Sequence, residues 1–577
     1  MVRLIHSAAL VLALLVGTAP ASAQVAVVTR APTIAPAQTL VARNGMVVAQ
    51  EQRAARVGVE ILERGGNAVD AAVAVGFALA VTYPRAGNIG GGGFMVIHLG
   101  KTGQNVAIDY RETAPAAATE TMFLDASGEA DPKKSRDSAL SIGVPGTVAG
   151  LALAHERYGS GKLSFAELIA PAITLARNGV DIVDDIADTL PSAQARISRW
   201  PSSAPVFLNS DGHVLMPGQD LLQPDLAITL RAIASEGPKG FYEGPVAEKI
   251  AAAVRKAGGI MTTEDLKDYR AIVRTPLQGT YRGYDIVSMP PPSSGGVHLI
   301  EMLNILEGYD VAALGAGSAQ SMHLMLEAMK RAYADRAAFL GDPDAVKIPI
   351  RGLLSKKYAA SLRKTIGDKA TPASDIKPGR PDIYEGDNTT HFSVIDSDGN
   401  AVSNTYTLNF SYGVGLVAEG TGVLLNNELD DFTAKPGTAN AYGLIGYGNN
   451  LPGPRKRPLS SMTPTIVLKD GKPFLITGSP GGSRIMSTVL QVVVNTIDFR
   501  MAADAAVSAP RLHHQWQPDE VIVEPGVAPD VLDALARRGH KVVPTAPLTS
   551  VNSIAITPDG YVGAADRRTR GSLAVGY

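Results

Sequence analysis

Three Asp-Gly pairs, Asp398-Gly399, Asp470-Gly471 and Asp559-Gly560, each stand between two short apolar runs. A tight β-hairpin needs residues that tolerate positive φ, and Asp-Gly supplies them. The flanking runs are therefore predicted to pair antiparallel: His391–Asp396 with Ala401–Leu408 (Asp396 facing Ala401), Thr465–Leu468 with Phe474–Thr477, and Ser553–Thr557 with Tyr561–Ala564. Lys101-Thr102-Gly103 adds a fourth turn, joining Phe94–Leu99 to Val106–Asp109. Most runs alternate weakly, which suits sheets covered on both faces. Between them lie helical patterns: Glu51–Glu63, with Gly65-Gly66-Asn67 as its stop; an almost wholly Ala/Val/Leu/Phe segment, Ala71–Val81, starting at Asp70; and a mainly helical stretch from Gly143 to about Gly379. Within that stretch, Thr262 and Asp265 have the spacing of a capping box. Apolar helices and hairpin strands together predict two stacked, mostly antiparallel sheets with helices outside, an α/β/β/α sandwich.

The chain has 577 residues and no cysteine, which excludes thiol nucleophiles, thiolate zinc sites, iron–sulfur clusters and disulfides. A formal net charge of -2 leaves no nucleic-acid footprint. Met1-Val2-Arg3, the apolar run Ala8–Val16 and Ala21-Ser22-Ala23 have the layout of a signal peptide, with cleavage after Ala23 and a mature start at Gln24. That run is too short to span a bilayer, so the expectation is an exported protein, periplasmic or secreted, with no membrane anchor. Gly90–Gly93 is followed by a strand and no Lys-Ser/Thr, so close backbone packing is expected there rather than a phosphate loop. Pro290–Gly296 runs from rigid to flexible and reads as a structural loop or as a wall of the cleft. Arg111, just past a strand end, reads as a solvated residue, an ion-pair partner or a holder of a carboxylate.

Gly-x-Ser-x-Gly, Walker and His-Glu-x-x-His signatures are absent. Adjacent histidines on a strand point to opposite faces, so His513 and His514 are not expected to form a metal site. The simple nucleophile route that remains is an N-terminal Thr, whose weak hydroxyl is activated by its own freed α-amine. Such a residue requires a cut in the chain. Lys364–Asp387 loses all periodicity and reads as an exposed linker leading up to Thr389.

Asn388-Thr389-Thr390-His391-Phe392-Ser393-Val394 resembles the processing site of the γ-glutamyltransferases, members of the N-terminal-nucleophile hydrolases. Segments matching this family follow in order along essentially the whole mature chain: Ile89–Phe94, Asp109–Pro115, Gly143–Gly150, Pro290–Gly296, Leu424–Lys435, Arg457–Thr465, Gly478–Arg484 and His513–Trp516. The resemblance implies the N-terminal-nucleophile sandwich fold and autocleavage between Asn388 and Thr389, giving a large subunit, 24–388, and a small catalytic subunit, 389–577, that form a heterodimer. It implies Thr389 as nucleophile, Thr407 as its hydrogen-bond partner, and the Gly481 and Gly482 N–H groups as an oxyanion hole. Asn409, Glu428 and Asp431 would hold the substrate's α-amino group; Arg111, Ser460 and Ser461 would hold its α-carboxylate. Pro436–Tyr447, with Tyr442, matches a lid. The implied activity is transfer of a γ-glutamyl group from glutathione or related compounds to water, amino acids or peptides, without a cofactor. Two alternatives stand beside it: a cephalosporin (glutaryl) acylase of the same family, and an inactive periplasmic binder of γ-glutamyl peptides.

Overall fold

The computed structural model describes residues 34–379 and 391–577. The leader 1–23, Asn388 and Thr389 lie outside them. Two seven-stranded sheets form the centre. In the first, the strands lie in the order Leu573–Gly576, Gly45–Ala49, Phe392–Asp396, Ala401–Thr407, Gly92–Leu99, Gln104–Tyr110 and Ile272–Arg274. In the second the order is Gln38–Ala42, Gly560–Ala565, Asn552–Thr557, Lys472–Thr477, Thr465–Lys469, Tyr284–Ser288 and Leu277–Tyr281. All neighbouring pairs in both sheets are antiparallel.

The core divides as strand pleating dictates. Met46, Val48, Phe94, Val96 and Ile395 of the first sheet pack with Val287, Ile466, Ile476 and Ile554 of the second, with no helix between them. The alternate residues Val47, Met95, Ile97 and Val394 face outward onto the helices Gln52–Glu63 and Ala68–Thr82. Val467 and Leu475 do the same on the other side, against Gly295–Leu306, Ala319–Phe339 and Arg484–Ile497. Four layers follow, α/β/β/α. Strands buried on both faces have no polar face, hence their weak alternation. Among the described residues no helix is long and apolar enough to cross a membrane.

The four predicted hairpins are present, with one change of register. Ile395, not Asp396, faces Ala401. Asp396 instead closes the turn, accepting N–H bonds from Asp398 and Asn400 at 2.9 and 3.0 Å. The second helix begins earlier than expected, at Ala68: Asn67 is the cap, and Asp70, three residues on, returns a bond to the Asn67 N–H at 3.0 Å. Among its described residues the mainly helical stretch also contributes strands to both sheets: Ile272–Arg274 edges the first, and Leu277–Tyr281 edges the second with Tyr284–Ser288 just inside it.

Candidate active site

The site is assembled where the first sheet's central strands end. Thr407 is the last residue of its strand and pairs with Gly92. Backbones pack tightly here: a Cβ on Gly91 would drive into the Thr407 carbonyl, and one on Gly90 into that of Leu424. Close packing, as expected, is what the glycine run serves. Asn88 fixes this corner. Its Nδ2 donates to the Thr407 carbonyl at 2.9 Å, and its Oδ1 accepts from the Gly91 N–H and the Thr147 hydroxyl, both at 2.8 Å. Thr407 Oγ1 accepts the Asn409 N–H at 2.8 Å. Asn409 sits at φ +73°, and its Nδ2 donates to the Asn427 carbonyl at 3.0 Å.

Arg111 follows the strand Gln104–Tyr110 and is wholly buried. Its Nε donates to the Pro458 carbonyl at 3.2 Å, Nη2 pairs with Asp431 at 2.7 Å, and Nη1 pairs with Glu428. Glu112 is 3.8 Å away and equally buried. One guanidinium thus faces three carboxylates. Burial is the leading cause that raises the carboxyl pKa values of Glu428 and Asp431, and that of Glu112 to about 8; Arg111 only partly offsets it. Among the described residues, Glu428 Oε2 and both oxygens of Glu112 have no hydrogen-bond partner, nor do the buried hydroxyls of Ser460 and Ser461. Those serines lie just beyond Pro458, whose carbonyl holds Arg111. Pro290–Gly296 backs them: Ser294 Oγ donates to the Ser460 carbonyl at 3.0 Å, and Ser293 bridges Ser460 in parallel.

Gly481 and Gly482 stand between the strand Lys472–Thr477 and the helix Arg484–Ile497, at φ +126° and +57°. Neither N–H donates to another group among the described residues. Over them lies Tyr442, stacked on Phe410 at 5.2 Å, its hydroxyl donating to the Asn409 carbonyl at 3.0 Å. A Cβ on Gly482 would come within 2.6 Å of that ring. The segment around Tyr442 is a small hairpin, bridged from Ala439 to Ile445.

A cavity of about 610 Å³ is lined by Thr407, Asn409, Glu428, Tyr442, Gly481 and Gly482 among others. Arg111, Asp431, Ser460 and Ser461 are not on its wall; they are gathered behind Glu428. Sequence reasoning did not single out Asn88, Phe410 or Glu112. Glu112 directly follows Arg111, and only its burial marks it.

His391 is buried between Thr405 Oγ1 and Ser393 Oγ at 3.1 and 2.8 Å, and burial lowers its pKa to about 3. His513 and His514 do not converge: the first bonds Ser487 and Gln515, the second Asp519. His323, Glu327 and His540 lie close enough to share an ion. However, Glu327 already pairs with Lys330 and Arg331 at 2.5 and 2.7 Å, and the two histidines bond each other at 2.9 Å.

The family model described as Gamma-glutamyltranspeptidase matches residues 54–576. A glutathione hydrolase proenzyme of Escherichia coli (strain K12) is 52% identical over 538 residues, covering 93% of this chain and 92% of that one. An acylase ACY 1 proenzyme of Pseudomonas sp. (strain V22) is 39% identical, covering 92% and 93%. Among solved structures, the cephalosporin acylase from Bacillus halodurans superposes with a TM-score of 0.83 at 28% identity, covering 95% of this chain and 98% of that one.

Proposed function

The chain belongs to the gamma-glutamyltranspeptidase family, and from that premise we propose that it is a γ-glutamyltransferase and glutathione hydrolase that makes its own nucleophile, Thr389. The Thr389 hydroxyl attacks the Asn388 carbonyl, the acyl group shifts from nitrogen to oxygen, and water cleaves the ester. The products are a large subunit, 24–388 after export, and a small one, 389–577. The freed α-amine, with an ordinary pKa near ~8, then takes the hydroxyl proton as the oxygen attacks the γ-carbonyl of the donor. The amide C–N bond breaks and the amine leaves with that proton. Water, or the amine of an amino acid or peptide, attacks the resulting ester and restores the hydroxyl. The N–H groups of Gly481 and Gly482 are free to meet the oxyanion in both steps.

The observation that carries this reading is the charge of the buried cluster. Arg111 faces Glu112, Glu428 and Asp431 while the Ser460 and Ser461 hydroxyls have no partner among the described residues. An amino-acid head group suits that imbalance. Its ammonium would take Asn409, Glu428 and Asp431; its carboxylate would take Arg111 and the two serines. One zwitterion thereby exchanges for the internal ion pairs. Thr407, held by the Asn409 N–H, would orient Thr389, and Tyr442 would close the pocket. The test is Thr389→Ala, which should stay a single chain and fail to hydrolyse γ-glutamyl-p-nitroanilide. In the native protein, N-terminal sequencing of the small subunit should read Thr-Thr-His-Phe. A processed, active Thr389→Ala protein overturns the assignment.

The names of two relatives, an ACY 1 acylase and a cephalosporin acylase, favour a second reading in which the acyl group is glutaryl. Asp431 argues for the γ-glutamyl group, because a glutaryl chain has a carboxylate for Arg111 but no ammonium for Asp431. Equal rates on glutaryl and γ-glutamyl anilides would favour the acylase.

A further inference from the structure

The cavity does not end at the pocket for the γ-glutamyl head group. In the first sheet, Phe392–Asp396 has Ala401–Thr407 on one side and Gly45–Ala49 on the other. Thr407 and Asn409 border the cavity on the first side. Gln50, which directly follows Gly45–Ala49, borders it on the second, and Tyr83, Arg484, Ser550 and Thr569 complete that part of the lining. Two polar side chains there are buried without a full set of partners. Gln50 is 1% exposed; its Oε1 accepts from the Tyr83 hydroxyl at 3.3 Å, but its Nε2 has no partner among the described residues. Ser550 is 3% exposed, and its hydroxyl has none either.

Three arginines line the cavity. Arg85 pairs with Asp185 at 2.6 Å, and Arg568 with Glu524 at 2.7 Å. Arg484 is half-buried at the first turn of the helix Arg484–Ile497, directly after the Gly481-Gly482-Ser483 turn. Its side chain makes no hydrogen bond or ion pair among the described residues. The acid of this part of the wall, Glu520, is taken by Lys541 at 2.6 Å. An unpaired guanidinium in a partly desolvated wall suits an anion, most of all a planar carboxylate.

We propose that this side of the cavity holds the peptide on the far side of the scissile bond, leaving amine and accepting amine in turn, with Arg484 receiving its terminal carboxylate. Gln50 Nε2 and Ser550 Oγ serve its peptide group. The ligand class is an amino acid or short peptide with a free C-terminus. This rests on the γ-glutamyl reading above and adds to it a preference between acceptors.

The test compares glycylglycine with glycylglycinamide as acceptors, γ-glutamyl-p-nitroanilide being the donor, at fixed pH and with correction for the amine's ionised fraction. Wild type should favour the acid by about tenfold in kcat/KM, the worth of one charge-assisted contact. Arg484→Gln should bring that ratio to near one, and Arg484→Lys should restore part of it. The ratio is taken within one preparation, so partial loss of folded enzyme cancels. A wild-type ratio near one, or an Arg484→Gln ratio equal to wild type, overturns the proposal while leaving the γ-glutamyl reading intact. If wild type transfers γ-glutamyl to no acceptor and does not hydrolyse the donor, both fall together.

Discussion

Asp431→Asn separates recognition of the ammonium from stability. Asp431 takes Arg111 Nη2 at 2.7 Å in a site where both are buried. Removing one partner of an isolated buried pair costs about 3–5 kcal/mol. Here Glu428 stays on Nη1, and an asparagine oxygen can still accept from Nη2, so the expected loss of stability is about 1–2 kcal/mol. A bound ammonium loses a charged acceptor outright, which is worth about 2 kcal/mol, or roughly 30-fold in kcat/KM. A glutaryl substrate has no ammonium and should lose little. Initial rates on γ-glutamyl- and glutaryl-p-nitroanilide, measured on one processed preparation, should therefore show their ratio falling by about 30-fold. A chemical denaturation curve checks the stability change separately. If the ratio moves by less than about twofold, the carboxylate of Asp431 is not recognising the substrate's amine.

Gly91→Ala should be strongly damaging, since its Cβ meets the Thr407 carbonyl and Asn88 Oδ1 within one corner; we expect a loss of about 3 kcal/mol, read by denaturation, together with failure to process, read on a denaturing gel. Gly482→Ala combines a backbone at φ +57° with a clash on Tyr442 and should lower kcat by about 100-fold with a smaller effect on thermal stability. Glu112 supplies a pH dependence. Its folded pKa is raised by burial from 4.5 to about 8, so its contribution to stability is complete below pH 4.5 and is lost as pH rises through about 8. Glu112→Gln removes that titration, and the Tm of wild type relative to the variant should fall from pH 5 to about pH 8 and then level off.

The hairpins were legible because Asp-Gly announces its own backbone conformation. The strands Leu277–Tyr281 and Tyr284–Ser288 were not, because their turn is Arg282-Gly283. Arg282 holds φ +53° through bonds that no local pattern announces: to the Glu307 carbonyl at 3.0 Å, the Tyr309 carbonyl at 2.5 Å and Asp498 at 3.1 Å. The site divides in the same way. Thr407, Asn409, Glu428 and the Gly481-Gly482 pair lie on motifs that sequence can match, and all five line one cavity. Asn88 acts across 319 residues on the Thr407 carbonyl, a contact that exists only once the two strands meet. Charge behaves likewise. The formal net charge of -2 looks unremarkable spread over the chain, yet the fold sets three of its acids around a single arginine and removes water from all four. It is that placement, and not the composition, that gives ordinary Asp, Glu and Arg residues raised carboxyl pKa values and an excess of buried acid over base.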